Sequence, residues 1–122
     1  MTKDESIRNF NKLVDMNKVL DKNNDNYIPP EVLFRTKEIL DSVEIQPVIY
    51  PSANRSILLE YTKKDGRVVE LEVKLEDCKN ISYVIKDGEE EFYIYIPNPE
   101  ESIKVLKGFI NFDEVLEEQE YL

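Results

Sequence analysis

The feature that most constrains this fold is a long alternation of apolar and polar residues between positions 56 and 97. Two tight-turn signals, at Asp65-Gly66 and Asp87-Gly88, divide it, and a looser turn covers positions 76–80. Alternation with a period of two, bounded by Asp-Gly pairs, favours β-hairpins because hairpin turns need the positive φ that glycine adopts readily. The stretch therefore predicts four antiparallel strands in a meander.

Two helices are predicted before the meander. Over positions 4–20 apolar residues recur at helical spacing and predict one buried stripe of Ile7, Phe10, Leu13, Val14, Val19 and Leu20. Thr2 or Asp4 is a suitable N-cap for this helix. A second helix is predicted to begin near Pro29-Pro30-Glu31, because proline is favoured in the first helical turn. Its predicted buried stripe consists of Val32, Leu33, Thr36, Ile39, Leu40 and Val43. Between this helix and the meander, positions 47–51 begin and end with proline, which predicts an edge strand or a packing arm.

The end of the chain predicts further helical structure. Asn98 and Pro99 are typical of an N-cap and first turn, and positions 113–122 form an acidic helix or a frayed tail. The whole pattern predicts an α+β fold with two N-terminal helices, an antiparallel β-meander of four to five strands, and one or two short C-terminal helices. No repeat or low-complexity linker divides the chain, so residues 1–122 are predicted to form a single domain.

The charge balance points to a protein partner. Sixteen basic and twenty-six acidic residues give a net charge of −10, and half of it lies on residues 97–122. Direct binding to nucleic acid or to an anionic membrane is disfavoured, because both need clustered Lys and Arg. Attraction to a basic protein surface is favoured instead.

The sequence favours a cytoplasmic protein without enzymatic activity. It shows no secretory signal and no apolar run near 18 residues, and Cys78 has no second cysteine with which to form a disulfide. The chain has no histidine, Cys78 has no evident base partner, and three glycines are too few for a glycine-rich phosphate loop. We predict no catalytic residue and no cofactor.

One segment has the residue types of a calcium site. Oxygen-bearing side chains at alternate positions, Asp21, Asn23 and Asp25, match the start of an EF-hand loop. Asn26 takes the place of the usual glycine, and Val32 takes the twelfth place, where a bidentate Glu should close the site. These three residues are therefore weak metal candidates, and the alternative is a polar connection rich in turn-forming residues.

A resemblance to a known group covers about residues 20–85. The matching segments are Asn24-Asp25-Asn26-Tyr27, Pro30-Glu31 at a helix start, Pro47 to Pro51-Ser52, and Leu59-Glu60-Tyr61. They resemble small, uncharacterised prokaryotic and phage proteins with the pattern Trp-Asp-Gly-Tyr, a helix opened by Pro-Glu, a Pro-x-x-x-Pro-Thr arm, and a strand ending Leu-Glu-Trp. Asn24, Asn26 and Tyr61 replace Trp, Gly and Trp of that pattern. The resemblance implies an α+β fold, accessory or mobile-element genes and no known reaction, with Asp25 and Tyr27 in a structural turn.

A binding surface is predicted on the sheet. Tyr93 and Tyr95 alternate with Phe92, Ile94 and Ile96, so they are expected on the outer face with carboxylates of neighbouring strands. Tyrosine is enriched at protein interfaces. The alternatives are a helix that covers this face, cross-strand aromatic pairs, or acidic runs that are simply solvated. The predicted partner-binding residues are Glu60, Glu70, Glu72, Glu89, Glu90, Glu91, Tyr93, Tyr95, Glu114, Glu117 and Glu118.

These features together predict an acidic inhibitor. We expect it to occlude a basic, nucleic-acid-handling partner such as a nuclease, as a phage anti-defence (anti-CRISPR-like) or antitoxin-like protein. Two alternatives stay open. One is a single EF-hand-like, calcium-responsive module, and the other is a small structural or homo-oligomeric subunit, a homodimer included.

Overall fold

Two helices precede an antiparallel sheet in the computed structural model. It describes residues 1–52, 55–64, 66, 68–74, 81–87, 90–96, 104, 107 and 119, and for residues 69, 81–87 and 90–96 it describes the backbone alone. The helices are α1 (Lys3–Lys18) and α2 (Pro30–Ser42). The strands are β1 (Val48–Ser52), β2 (Ser56–Thr62), β3 (Val68–Val73), β4 (Ile81–Asp87) and β5 (Glu90–Ile96), paired antiparallel in the order β1-β2-β3-β4-β5.

A capping box begins α1, and its N-cap is Thr2, one of the two predicted N-cap residues. The Glu5 backbone N–H donates to Thr2 Oγ1 at 3.2 Å, and the Thr2 N–H donates to Glu5 Oε2 at 3.4 Å. The helix ends at Lys18, earlier than the apolar pattern suggested. Val19 is consequently the C-cap and is 84% exposed, so its expected place in the buried stripe is wrong.

A buried glutamine donates hydrogen bonds to backbone carbonyls at the C-terminal end of α2. Gln46 Nε2 donates to the carbonyls of Leu40 (3.0 Å) and Val43 (2.7 Å), at the end of the helix where carbonyl groups lack helical partners. The Tyr61 hydroxyl donates to the Ile45 carbonyl at 2.8 Å. These bonds fix the path of the chain from α2 into β1.

The helices cover one face of the sheet. The register pairs Leu59 with Leu71 and Ile57 with Val73, and all four side chains are fully buried. They belong to one cluster with apolar residues of α1, α2 and the segments that follow them. Its other members are Phe10, Leu13, Ile28, Val32, Ile39, Leu40, Val43, Ile49 and Tyr61.

The α+β class is confirmed by the two helices and the antiparallel sheet of β1, β2 and β3. The proline-flanked segment is an edge strand, because β1 pairs only with β2 in the described sheet. Many residues beyond position 74 lie outside the described part of the chain, so the total strand number and the C-terminal helices remain predictions. No described helix has both the length and the apolar character needed to cross a bilayer.

Candidate functional site

Three of the predicted binding carboxylates lie on one face of the sheet. Glu60 of β2 is directly opposite Glu70 of β3, and Glu72 is opposite Leu58. Directly opposed residues of an antiparallel pair point to the same side, and the buried Leu59 and Leu71 alternate with them. The three carboxylates therefore share the outer face, which we define as the side of the sheet opposite α1 and α2.

Glu72 is held in place on the outer face. Its Oε2 accepts a hydrogen bond from Ser56 Oγ at 3.0 Å, and its Oε1 lies 3.6 Å from Lys74 Nζ. Glu60 and Glu70 also take part in polar or electrostatic interactions. All three glutamates are half-buried. Their side chains are therefore less free to move than those of fully exposed glutamates.

The strand register brings the two predicted tyrosine positions into the same rows as these glutamates. Tyr93 pairs with Val84, which pairs with Glu70. In the next row Tyr95 pairs with Ser82, which pairs with Glu72. The backbone therefore assigns both tyrosine positions to the outer face.

The two acidic residues at the start of β5 have different register positions. Glu91 pairs with Lys86, whose other neighbour is Val68, in a row of the outer face. Glu90 pairs with Asp87. Because Glu90 is the neighbour of Glu91 along the strand, its register position belongs to the face that α1 and α2 cover. The remaining predicted binding residues, Glu89, Glu114, Glu117 and Glu118, lie outside the described residues.

One residue of the acidic C-terminal segment is attached to the end of β2. The Thr62 N–H donates to Gln119 Oε1 at 2.5 Å, and Gln119 Nε2 donates to the Thr62 carbonyl at 3.0 Å. Gln119 is almost completely buried. Sequence reasoning missed this contact because a glutamine between glutamates carries no local signal for it.

The loop proposed as a calcium site uses its side-chain oxygens to turn the chain. Asp21 Oδ1 accepts from the Asn23 N–H at 2.9 Å, and Asn24 Oδ1 accepts from the Asn26 N–H at 2.8 Å. Each contact is an Asx turn. Backbone bonds from Asn24 to Asp21 and from Tyr27 to Asn24 complete two consecutive turns.

This loop has no bidentate glutamate at the twelfth position, where an EF-hand has one. Val32, at the twelfth place, is completely buried in the core. Within the part of the chain that the structure describes, no three His, Cys, Asp or Glu side chains are grouped to hold a metal ion. Asp21, Asn23 and Asp25 therefore form a turn segment between the helices, with few of the oxygen ligands that calcium needs.

Replacing Asp21 by asparagine is expected to leave stability unchanged within about 0.5 kcal/mol, because the amide oxygen still accepts the Asx-turn bond. Asp21→Ala removes that acceptor and should cost about 0.5–1 kcal/mol. Thermal melts of both variants with calcium or with EDTA test this expectation. A calcium-dependent rise in melting temperature that Asp21→Asn and Asp25→Asn abolish would contradict it.

Asn17 is a structural residue that the sequence analysis overlooked. Its Nδ2 donates to the Ile28 carbonyl at 2.9 Å, and its Oδ1 accepts from the Ile28 N–H at 2.7 Å. The side chain is 6% exposed. A signal was present, because Asn17 follows Phe10 and Leu13 on the apolar face of α1, and buried polar groups need hydrogen-bond partners.

Comparison of the chain with protein-family models, with curated proteins and with solved structures found no match. The resemblance to small prokaryotic and phage proteins therefore remains a prediction, and the function is inferred from the residues of the outer face.

Proposed function

We propose that this protein is a non-enzymatic inhibitor that binds a basic surface of a nucleic-acid-handling protein through its outer face. The observation that carries the proposal is the pair of register rows that aligns Glu60 and Glu70 with Tyr93, and Glu72 with Tyr95. Carboxylates and tyrosines in neighbouring rows of one sheet face would combine charge with aromatic contact area, which suits a protein interface.

The proposed mechanism is steric and electrostatic occlusion. A surface that binds nucleic acid presents Lys and Arg to a row of phosphates, and a row of carboxylates competes for the same groups. The net charge of −10 would also accelerate the encounter with such a surface. A phage-encoded blocker of a host defence nuclease, anti-CRISPR-like or antitoxin-like, would use such a row of carboxylates and such a net negative charge.

The acidic C-terminal segment would extend the binding surface. Residues 97–122 contain half of the net charge, and the contact between Gln119 and Thr62 ties one of these residues to the sheet. In this proposal the complete five-stranded meander and the C-terminal helices form one domain that presents the outer face and the acidic segment together.

Co-purification from a bacterial host, with identification by mass spectrometry, tests the proposal. The captured partner is then purified, and its affinity is measured at several salt concentrations for the wild-type protein and for two triple variants. One variant removes three outer-face charges (Glu60→Gln, Glu70→Gln and Glu72→Gln). The matched control removes three exposed charges elsewhere (Asp15→Asn, Asp25→Asn and Glu44→Gln).

We expect the outer-face variant to bind about ten-fold or more weakly, because three charge contacts at roughly 0.5–1 kcal/mol each add up to that factor. The control should stay within about three-fold of the wild type, and the affinity of the wild type should fall steeply with salt. Nucleic acid should also displace the protein from its partner. Equal loss in both variants, or an affinity indifferent to salt, would contradict the proposed mechanism.

A further inference from the structure

A groove lies between the C-terminal half of α1 and the edge strand β1. Its volume is about 730 Å³, which is within the range of small-molecule sites. Its apolar floor consists of Leu13, Ile28 and Ile49, all of which are nearly buried. The outer face is on the other side of the sheet, so this groove is independent of the function proposed above.

The rim of the groove is unusually apolar for a protein surface. Met16 is 68% exposed and Val19 is 84% exposed, and both line the groove next to its buried floor. A third large hydrophobic side chain is comparably exposed, Phe34 at 73%, but it lies on α2 and does not line the groove. The floor and rim together form a continuous apolar surface, which is a mark of a binding site.

The charge of the residues that line the groove is opposite in sign to the net charge of the protein. Among the described residues that line it, none is acidic and the charged residue is Lys12, although the chain has twenty-six acidic residues. Asn9 and Asn26 add amide groups to the lining. An acid-free apolar groove with an ammonium group complements a ligand that is apolar and anionic.

The order of these residues along α1 sets the direction of such a ligand. Met16 lies one helical turn after Lys12, on the same side of the helix, and Val19 lies one turn further on. From Lys12 to Val19 the helix rises about 10 Å. A carboxylate at Lys12 would therefore leave an apolar tail to run along Met16 and Val19 above the floor.

We propose that the groove binds a free monocarboxylate with an unbranched apolar tail, that is, a ligand of the fatty-acid class. The tail covers the exposed rim and contacts the floor, and the carboxylate pairs with the Lys12 ammonium at the end of the groove. Apolar burial supplies most of the affinity, because an exposed ion pair contributes little.

The test uses decanoate below its micellar concentration, with binding measured by calorimetry and by shifts of backbone amide resonances. Val19→Glu and Met16→Glu each introduce an acidic group at the rim and should weaken binding at least ten-fold. Phe34→Glu is the matched control, because it makes the same kind of change at an equally exposed helix position outside the groove, and it should bind within two-fold of the wild type. Lys12→Gln should weaken binding about two- to five-fold.

Two further ligands separate the charge from the tail. Decyltrimethylammonium should bind at least five-fold more weakly than decanoate, and octanoate should bind more weakly than decanoate because its tail is shorter. Thermal melts of each variant without ligand confirm that it is folded.

Several results would overturn the proposal. They are the absence of saturable decanoate binding, equal affinity of Val19→Glu and Phe34→Glu for decanoate, and equal binding of the cationic amphiphile. Binding to phosphatidylglycerol vesicles but not to decanoate would assign the groove to a membrane surface instead. Self-association without ligand that only the rim variants abolish would assign it to a second copy of the chain.

Discussion

Replacing Asn17 with alanine should lower the free energy of unfolding by about 2–4 kcal/mol, because two backbone groups of Ile28 lose their partner. The amide of Asn17 satisfies both the N–H and the C=O of Ile28, and that residue is only 2% exposed, so water cannot replace the lost bonds without opening the structure. Urea unfolding followed by circular dichroism measures the change.

Asn11→Ala is the matched control for this experiment. Asn11 is exposed on α1, so its replacement by a better helix former should leave stability unchanged or raise it by a few tenths of a kcal/mol. A loss in Asn17→Ala no larger than in Asn11→Ala would show that the bonds to Ile28 do not contribute to stability.

The second large effect is expected from Leu59→Ala, which should cost about 3–4 kcal/mol. Leu59 is completely buried between the sheet and the helices, where it packs in the same cluster as Leu71, Ile39 and Leu40. Truncation removes apolar contacts and leaves a cavity that the close-packed surroundings fill only in part. Chemical denaturation should show the loss as a lower midpoint with an unchanged slope.

Leu58→Ala, at the neighbouring position of the same strand, is the control. Leu58 lies on the outer face and is half-buried, so its truncation should cost about 1 kcal/mol. The comparison also bears on function. If Leu58→Ala cost as much as Leu59→Ala, the outer face would be covered within the folded protein and would not be available to a partner.

The alternation of side chains along the strands was sufficient to predict the two faces of the sheet. Glu60, Glu70 and Glu72 alternate with apolar residues, and the structure places them on the face opposite α1 and α2. Successive side chains of a strand point to opposite faces because the backbone is extended, and this alternation does not depend on which elements pack against the sheet. The apolar stripe of α2 was predicted from the helical spacing of its residues. Val32, Thr36, Ile39, Leu40 and Val43 are buried, and Leu33 is half-buried.

The burial of charged residues and the contacts between distant positions were not predictable in this way. Arg35 is 6% exposed, and its Nη1 donates to Glu38 Oε2 at 2.8 Å, although a charged residue at that place on α2 would ordinarily be expected in water. The contact of Gln119 with Thr62 joins positions 57 residues apart. Such contacts depend on which elements meet, and a single residue type carries no information about that.

The groove illustrates the same limit. Val19 belongs to an apolar pattern that predicted a buried stripe, but it is the C-cap of α1 and is exposed. Met16, which was not part of that predicted stripe, is also exposed, and both residues line the groove. The acid-free lining combines residues of α1, the following loop and β1. Only the approach of these three segments creates a site with a common charge and polarity.

The amino-acid sequence by itself determined the class of the fold, the N-cap of α1, the turn at Gly66 and the side of the sheet on which the residues of β2 and β3 lie. These features depend on backbone geometry and on interactions over a few residues, which local sequence specifies. The tertiary structure decided that Asn17 would bind Ile28, that Gln119 would reach Thr62, and that α1 would leave a groove beside β1. Those contacts depend on how the helices and strands pack together, because each of them joins residues that are distant in the chain.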